Sequence, residues 1–366
     1  MHQRPEAGDG TMVGADIQAA EVRPAGRLAK AIRDLPPAAF AFVMATGIIS
    51  VGTDTVGPAW LSRALLVVAT IGLVALAGLL AARLWRYRAN VAADARAPEK
   101  TFGFFTVVAG IEVVGLRYDA AGHPMVTAVL AMLAAALWLG LTYALPADLL
   151  LAREKDSVIG GVNGTWLLWV VGTQSLAITA AALVKGWPTQ AGLLAPAAVG
   201  LWGVGLVLYL LLVSLIVLRW LSVPMTPAAL GPPYWILMGA TAITVRAGAG
   251  LLALPAGLPI RVATGPFVSG FSFVLWSFGT WWIPLLIILG LWRHLAHHWP
   301  LTYETALWSV VFPLGMYSVA TLAYGKVTKL AFMATIAHVM LWVAIIAWTA
   351  VAAAGLIGLA ARPRAS

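Results

Sequence analysis

Two charged side chains stand inside long apolar runs of this chain, Glu112 and Arg246. An ionisable group at membrane depth needs a partner, a proton or a mobile ion to offset its desolvation. Both fall in the outer halves of their runs at similar depth, so they could pair with each other. Alternatively, Arg246 could raise the local anion concentration in an outer vestibule, and Glu112 could carry a proton. A third reading makes them structural, as an ion pair or as side chains snorkelling to the interface. Asp54 lies close enough to the end of a run to be interfacial.

A different signal lies near the C-terminus, where the run Trp308 to Tyr324 contains Phe312-Pro313-Leu314-Gly315. Proline removes a backbone donor and crowds the preceding turn, which predicts a bent or broken helix there. Such a break is tolerated in a bilayer where it faces protein or a water-filled cavity. Phe312 beside it reads either as a hydrophobic plug, blocking or dewetting a pathway, or as ordinary aromatic packing. Hydroxyls and amides at Thr46, Asn163, Thr165, Thr173, Gln174, Ser175, Thr241 and Thr244 could replace part of an anion's hydration shell. Backbone amides freed at helix breaks would act in the same sense.

Metal and cofactor chemistry finds little support. His294, His297 and His298 have the spacing of residues sharing a helix face, yet no acidic or thiol ligand is nearby, and an interfacial loop is the simpler reading. His338 is a lone histidine within a span, whereas a membrane haem site needs two axial ligands. Neither a metal, a cofactor nor an enzymatic activity is expected.

The elements that must position these residues are membrane helices. The chain has 366 residues, a net charge of +9 and no cysteine, so disulfides and thiolate sites are excluded. Apolar runs of bilayer-spanning length recur along it. They predict an all-α polytopic membrane protein with spans near 38–57, 60–82, 101–117, 125–145, 163–184, 193–218, 232–254, 266–290, 305–324 and 332–360. Residues 1–34 read as a disordered cytoplasmic tail, 35–360 as the membrane domain and 361–366 as a short cytoplasmic tail. The first residues lack the apolar core and cleavage site of a signal peptide. Basic residues gather at span ends, among them Arg83, Arg86, Arg88, Arg96 and Lys100 on one side, against Arg63, Arg117, Lys185, Arg261, Lys326 and Lys329 on the other. This asymmetry puts both termini in the cytoplasm. No basic stripe interleaved with aromatics suggests nucleic-acid binding.

The odd-numbered spans differ from the even ones. Each carries an aromatic residue followed by small residues: Phe42 before Thr46-Gly47, Phe105 before Ala109-Gly110, Trp169 before Gly172-Thr173, Trp235 before Gly239-Ala240, and Phe312 before Gly315. The pattern reads as a degenerate hairpin repeated five times. Small residues permit close helix packing, but their recurrence in all five odd spans favours broken helices lining a central path.

These residues also carry a family likeness. The stretch Trp308 to Tyr324, with Trp-Ser-x-x-Phe-Pro-Leu and Ser-Val-Ala-Thr, resembles the ninth helix of the tellurite-resistance/dicarboxylate transporter family. Supporting stretches are Pro36–Gly47, Gly172–Ser175 and Pro232–Ala240, and the resemblance covers about residues 35–355. That family includes TehA, plant slow-type anion channels, and fungal malate and sulfite transporters. The resemblance implies a homotrimer in a plasma (inner) membrane, each protomer having its own pore lined by the five odd helices. It further implies that Phe312 occludes the pore, and that small inorganic anions or dicarboxylates are moved by a channel or a proton-coupled carrier. It reaches Phe312 and the odd-helix glycines; Glu112 and Arg246 match no family motif.

Overall fold

The computed structural model describes residues 26–151 and 158–360. Ten helices in it are long and apolar enough to cross a membrane: Pro37–Val56, Ala59–Arg86, Thr101–Ala120, Pro124–Leu151, Gly164–Gly186, Pro188–Ser222, Pro232–Leu252, Pro259–Ala296, Thr305–Thr328 and Phe332–Gly358. They are the first to tenth spans below. With an even number of spans, residues 26 and 360 lie at the same end of the bundle, called here the terminal end, and the opposite end is distal.

Burial divides the spans into two classes. In the odd spans 72–83% of the most apolar window is buried, against 11–39% in the even ones. The odd spans therefore form an inner ring and the even spans an outer one. Around the inner ring the order is first, third, fifth, seventh, ninth and back to the first, each packed on the next. Each odd span also packs on the even span that follows it in the chain, giving five hairpins. The outer faces present apolar residues such as Ile71, Val74, Leu133, Leu211, Trp281 and Ile346, as a hydrocarbon solvent requires.

The sequence pattern predicts breaks at the small residues of the odd spans. Instead, the helices run unbroken through Gly47, Gly110, Gly172, Gly239 and Gly315, and also through Pro313. Helical backbone needs only negative φ, which glycine adopts readily, and Pro313 falls early in its helix, where it removes a single internal hydrogen bond. The irregularity lies at the terminal end, where every odd span opens with a tight 3-10 turn. These turns are Pro37–Phe40, Thr101–Phe104, Gly164–Leu167, Pro232–Trp235 and Thr305–Leu307. Each touches its two neighbours, so together they form a closed collar. Gly164 is its closest approach, since any side chain there would strike the Pro233 carbonyl. Aromatic rings fill the collar: Phe102 packs on Trp166 and stacks on Trp169, with centroids 4.8 and 5.2 Å away.

The hairpins are tied to one another by a recurring polar contact. Trp138 of the fourth span donates its indole N–H to the Thr173 hydroxyl of the fifth, at 2.9 Å. Trp276 of the eighth donates to Thr321 of the ninth at 2.9 Å, and Trp348 of the tenth to Thr46 of the first at 3.0 Å. Trp202 of the sixth reaches the Thr244 carbonyl of the seventh at 3.1 Å. Between the second and third spans the equivalent tie is Thr70 to Tyr118, hydroxyl to hydroxyl at 3.3 Å. Each outer helix thus clasps the inner helix of the next hairpin.

Two further helices frame the terminal end. Arg27–Arg33 lies inside the stretch expected to be a disordered tail. It is held because Arg83 donates to the Arg33 carbonyl at 2.9 Å, while Ile32 and Leu35 are buried. Arg88–Arg96 follows the second span, and its Asp94 accepts from Arg83 at 2.6 Å and from Lys100 at 3.1 Å. Residues 1–25 and 361–366 of the expected tails lie outside the described residues, as do Arg153 and Lys155.

Candidate functional site

A cavity of about 430 Å3 enters the inner ring from the distal end and is walled by all five odd spans. Each wall follows helical spacing of three and four residues, as one face of a helix must. The deepest residues are Ile48, Ala109, Ser175, Ile243 and Phe312, one from each odd span. These five form the floor. Above Phe312 the ninth span contributes Met316, Val319, Ala323 and Lys326. Above Ser175 the fifth contributes Ile178, Ala181, Ala182 and Lys185. The middle of the cavity is apolar apart from Arg246, whose guanidinium reaches the level of Ala181 just below the mouth, and the distal mouth is charged.

The charge at that mouth is asymmetric. Arg117, Lys185, Arg246 and Lys326 face Asp54 and Asp119. Arg117 and Asp54 cancel, because the guanidinium Nη2 lies 2.6 Å from the carboxylate. Arg117 is fixed by Ser62, whose hydroxyl accepts from Nε at 3.1 Å and Nη2 at 3.0 Å. Ser62 in turn donates to the Ser50 carbonyl at 2.8 Å, and Ser50 donates back to the Ser62 carbonyl at 2.7 Å. That network joins the first three spans at the mouth. Arg246, Lys185 and Lys326 remain against Asp119, a positive excess.

An inner ring of five helices around an axial cavity, with Phe312 in its floor, is decisive when set beside the sequence match. The profile of the voltage-dependent anion channel family, SLAC1, covers residues 34–356. The chain belongs to that family. It is 47% identical over 154 residues to an uncharacterized membrane protein of Mycobacterium tuberculosis, covering 42% of this chain and 78% of that one. It is 26% identical over 269 residues to an uncharacterized transporter of Methanocaldococcus jannaschii, covering 72% of this chain and 74% of the relative. A second uncharacterized transporter of that archaeon is 31% identical over 150 residues, or 40% of this chain and 41% of its own.

Within this SLAC1-family bundle, the residues singled out from sequence fall in several places. Phe312, Ser175 and Arg246 line the cavity. The five glycines do not; they face neighbouring inner helices. A Cβ on Gly47 would lie 2.7 Å from Val113, on Gly172 3.0 Å from Phe105, and on Gly315 2.8 Å from Ile48. On Gly110 it would meet Val43 at 3.5 Å, and on Gly239 it would meet the Pro313 ring at 2.8 Å. Their role is close helix packing. Thr46 and Thr173 point outward as acceptors for Trp348 and Trp138. Gln174 donates to the Trp202 carbonyl at 3.1 Å, and Thr241 and Thr244 bond within their own helix. Asn163 caps the fifth span by accepting from the Thr165 amide at 2.8 Å, and Thr165 donates to the Glu99 carbonyl at 3.3 Å.

Glu112 and Arg246 do not pair among the described residues. Glu112 is buried between the third and fifth spans, where the Thr179 hydroxyl donates to one carboxyl oxygen and the other has no protein partner. It is not part of the cavity lining. His294 and His297 engage the carbonyls of Trp299 and Trp292, at 2.8 and 3.1 Å. His338 lies on the exposed face of the tenth span, with Nδ1 2.7 Å from the Ala334 carbonyl.

Lining residues that sequence reasoning passed over include Ile48, Val113, Ile243, Met316 and Val319, and as lining groups also Lys185 and Lys326. The signal that finds them is a stripe spaced by three and four residues along each odd span, ending in a charged residue at the distal end of every odd span except the seventh.

Proposed function

We propose that the chain is an anion channel or transporter, with its pathway along the axis of the inner ring and Phe312 as its gate. The observation that carries this reading is the cavity itself, which all five inner helices wall and which ends on Phe312. An apolar wall with a cationic mouth favours the entry of anions over cations. Membership of a channel and transporter family argues in the same direction and away from an enzyme. Small inorganic anions and dicarboxylates are the cargo that the family likeness suggests, with a homotrimer as the assembly. The excess of arginine and lysine at the terminal end supports cytoplasmic termini in a plasma (inner) membrane.

Replacing the benzyl side chain of Phe312 by a methyl group should widen the floor. The expected outcome for Phe312→Ala in proteoliposomes is a marked rise in chloride and nitrate flux, with the protein still monodisperse. Unchanged flux through folded protein would remove Phe312 from the gate.

A second reading, proton-coupled transport of a dicarboxylate or sulfite, draws on Glu112. Its carboxyl group is buried between two inner helices, with the Thr179 hydroxyl on one oxygen and no basic partner among the described residues.

A further inference from the structure

Arg246 brings a full positive charge into the cavity wall, and no carboxylate among the described residues lies within ion-pair reach of it. Of the four buried arginines elsewhere among the described residues, Arg83, Arg117 and Arg293 each have an acidic partner, and Arg219 donates to the Met225 sulfur. The Arg246 side chain runs distally along its own helix, so that Nη1 passes 3.6 Å from where a Cβ on Gly250 would stand. Ala181 of the fifth span lies 3.7 Å from the same point. Glycine and alanine leave the guanidinium uncovered. Lys185 lies one turn distal to Ala181, also lines the cavity, and also lacks an ion pair among the described residues. On the other side, Ile243 of the floor precedes Arg246 by one turn, about 4.5 Å of helix rise.

We infer that Arg246 is an anion-binding site whose guanidinium stands about two turns above the Phe312 floor, level with Gly250 and Ala181, and that it holds planar oxyanions in preference to halides. The inference rests on reading the cavity as an anion path. A guanidinium presents parallel N–H groups that match two oxygens on one edge of an oxyanion, whereas a spherical halide cannot use that geometry as fully. A cation in an apolar wall is costly without a counter-charge, so a resident anion stabilises it. Lys185 adds attraction without geometric preference. An anion held at Arg246 must leave before it can cross Phe312, so binding there also limits throughput.

The test uses the full-length protein in planar bilayers, with nitrate on one side and chloride on the other. Reversal potentials give the permeability ratio, and conductance against nitrate concentration gives saturation. The wild type is expected to favour nitrate and to saturate. Arg246→Lys keeps the charge and should still saturate, while its nitrate preference falls, by about tenfold if one charge-assisted hydrogen bond is lost. Arg246→Gln should lose both the preference and the saturation. Gly250→Leu, which covers the guanidinium and keeps its charge, should shift in the same direction. An unchanged ratio in Arg246→Lys and Gly250→Leu, with current intact, overturns the inference even if Arg246→Gln does not fold. If neither the wild type nor Phe312→Ala carries any anion current, the anion path itself fails, and that result differs from a conducting channel indifferent to Arg246.

Discussion

Gly239 of the seventh span faces the ring of Pro313 in the ninth, and a methyl group placed on that glycine would lie 2.8 Å from the proline Cγ. The two residues are complementary. The proline ring has no rotamer change by which to withdraw, and the glycine gives it a place next to Phe312. The ninth span is therefore positioned at Phe312 by a rigid contact on its neighbour.

Gly239→Ala should accordingly destabilise the protein and displace Phe312. In a helix the substitution gains about 1 kcal/mol of intrinsic propensity, while overpacking a tight contact costs about 1–3 kcal/mol. A lower melting temperature together with altered basal flux is expected. Gly140→Ala on the fourth span, where nothing lies within 4 Å of the new methyl, is the matched control and should be neutral or stabilising. Equal melting temperatures for the two variants would contradict this account.

Asp54→Asn removes the acid that neutralises Arg117. Ser62 still holds the guanidinium, so the fold should survive with a modest loss of stability. The cavity mouth gains net positive charge, and anion flux at low ionic strength should rise. That gain should shrink as salt increases, because at about 1 M the screening length is only about 3 Å. A flux ratio independent of salt would mean that the mouth does not steer anions.

The indole ties give a third expectation. Trp276→Phe keeps an aromatic ring, though a smaller one, and removes the indole donor to Thr321; Trp348→Phe does the same to Thr46. Each should cost about 0.6 kcal/mol, a typical interhelical hydrogen bond in a membrane protein. Neither should change nitrate over chloride preference, because both contacts lie away from the cavity. Steric trapping or thermal unfolding in detergent measures the first effect, and reversal potentials measure the second.

Glu112→Gln separates the two functional readings. The amide keeps the contact with Thr179 and cannot lose a proton. Under a channel reading, anion flux with and without a pH gradient should match the wild type. Loss of acid-driven uptake alone would assign Glu112 to proton coupling, and retained coupling would exclude it.

Much of the fold was legible in the chain. Ten apolar runs mark ten spans in the correct order, and the Trp308 to Tyr324 stretch identifies the family. The facing of individual residues was harder to read, for a physical reason. The inner helices are buried on nearly every side, so no polar face orients them. Thr46 and Thr173 thus read as pore hydroxyls, when an outer tryptophan holds each of them. The glycines suggested broken backbone, when their function is to admit Val113, Phe105, Pro313 and Ile48. The even spans run 27–38 residues, longer than the bilayer minimum.

The tie from Trp348 to Thr46 has a consequence for how the molecule is made. It joins the last span to the first, 302 positions apart in the chain. Synthesis delivers the first hairpin to the membrane long before its final neighbour exists. Until the tenth span arrives, Thr46 lacks its indole donor and the first span lacks one wall of its packing. The ring is an assembly whose first-made part is the last to be completed, and a chain that stops short of residue 348 leaves it open at its oldest seam.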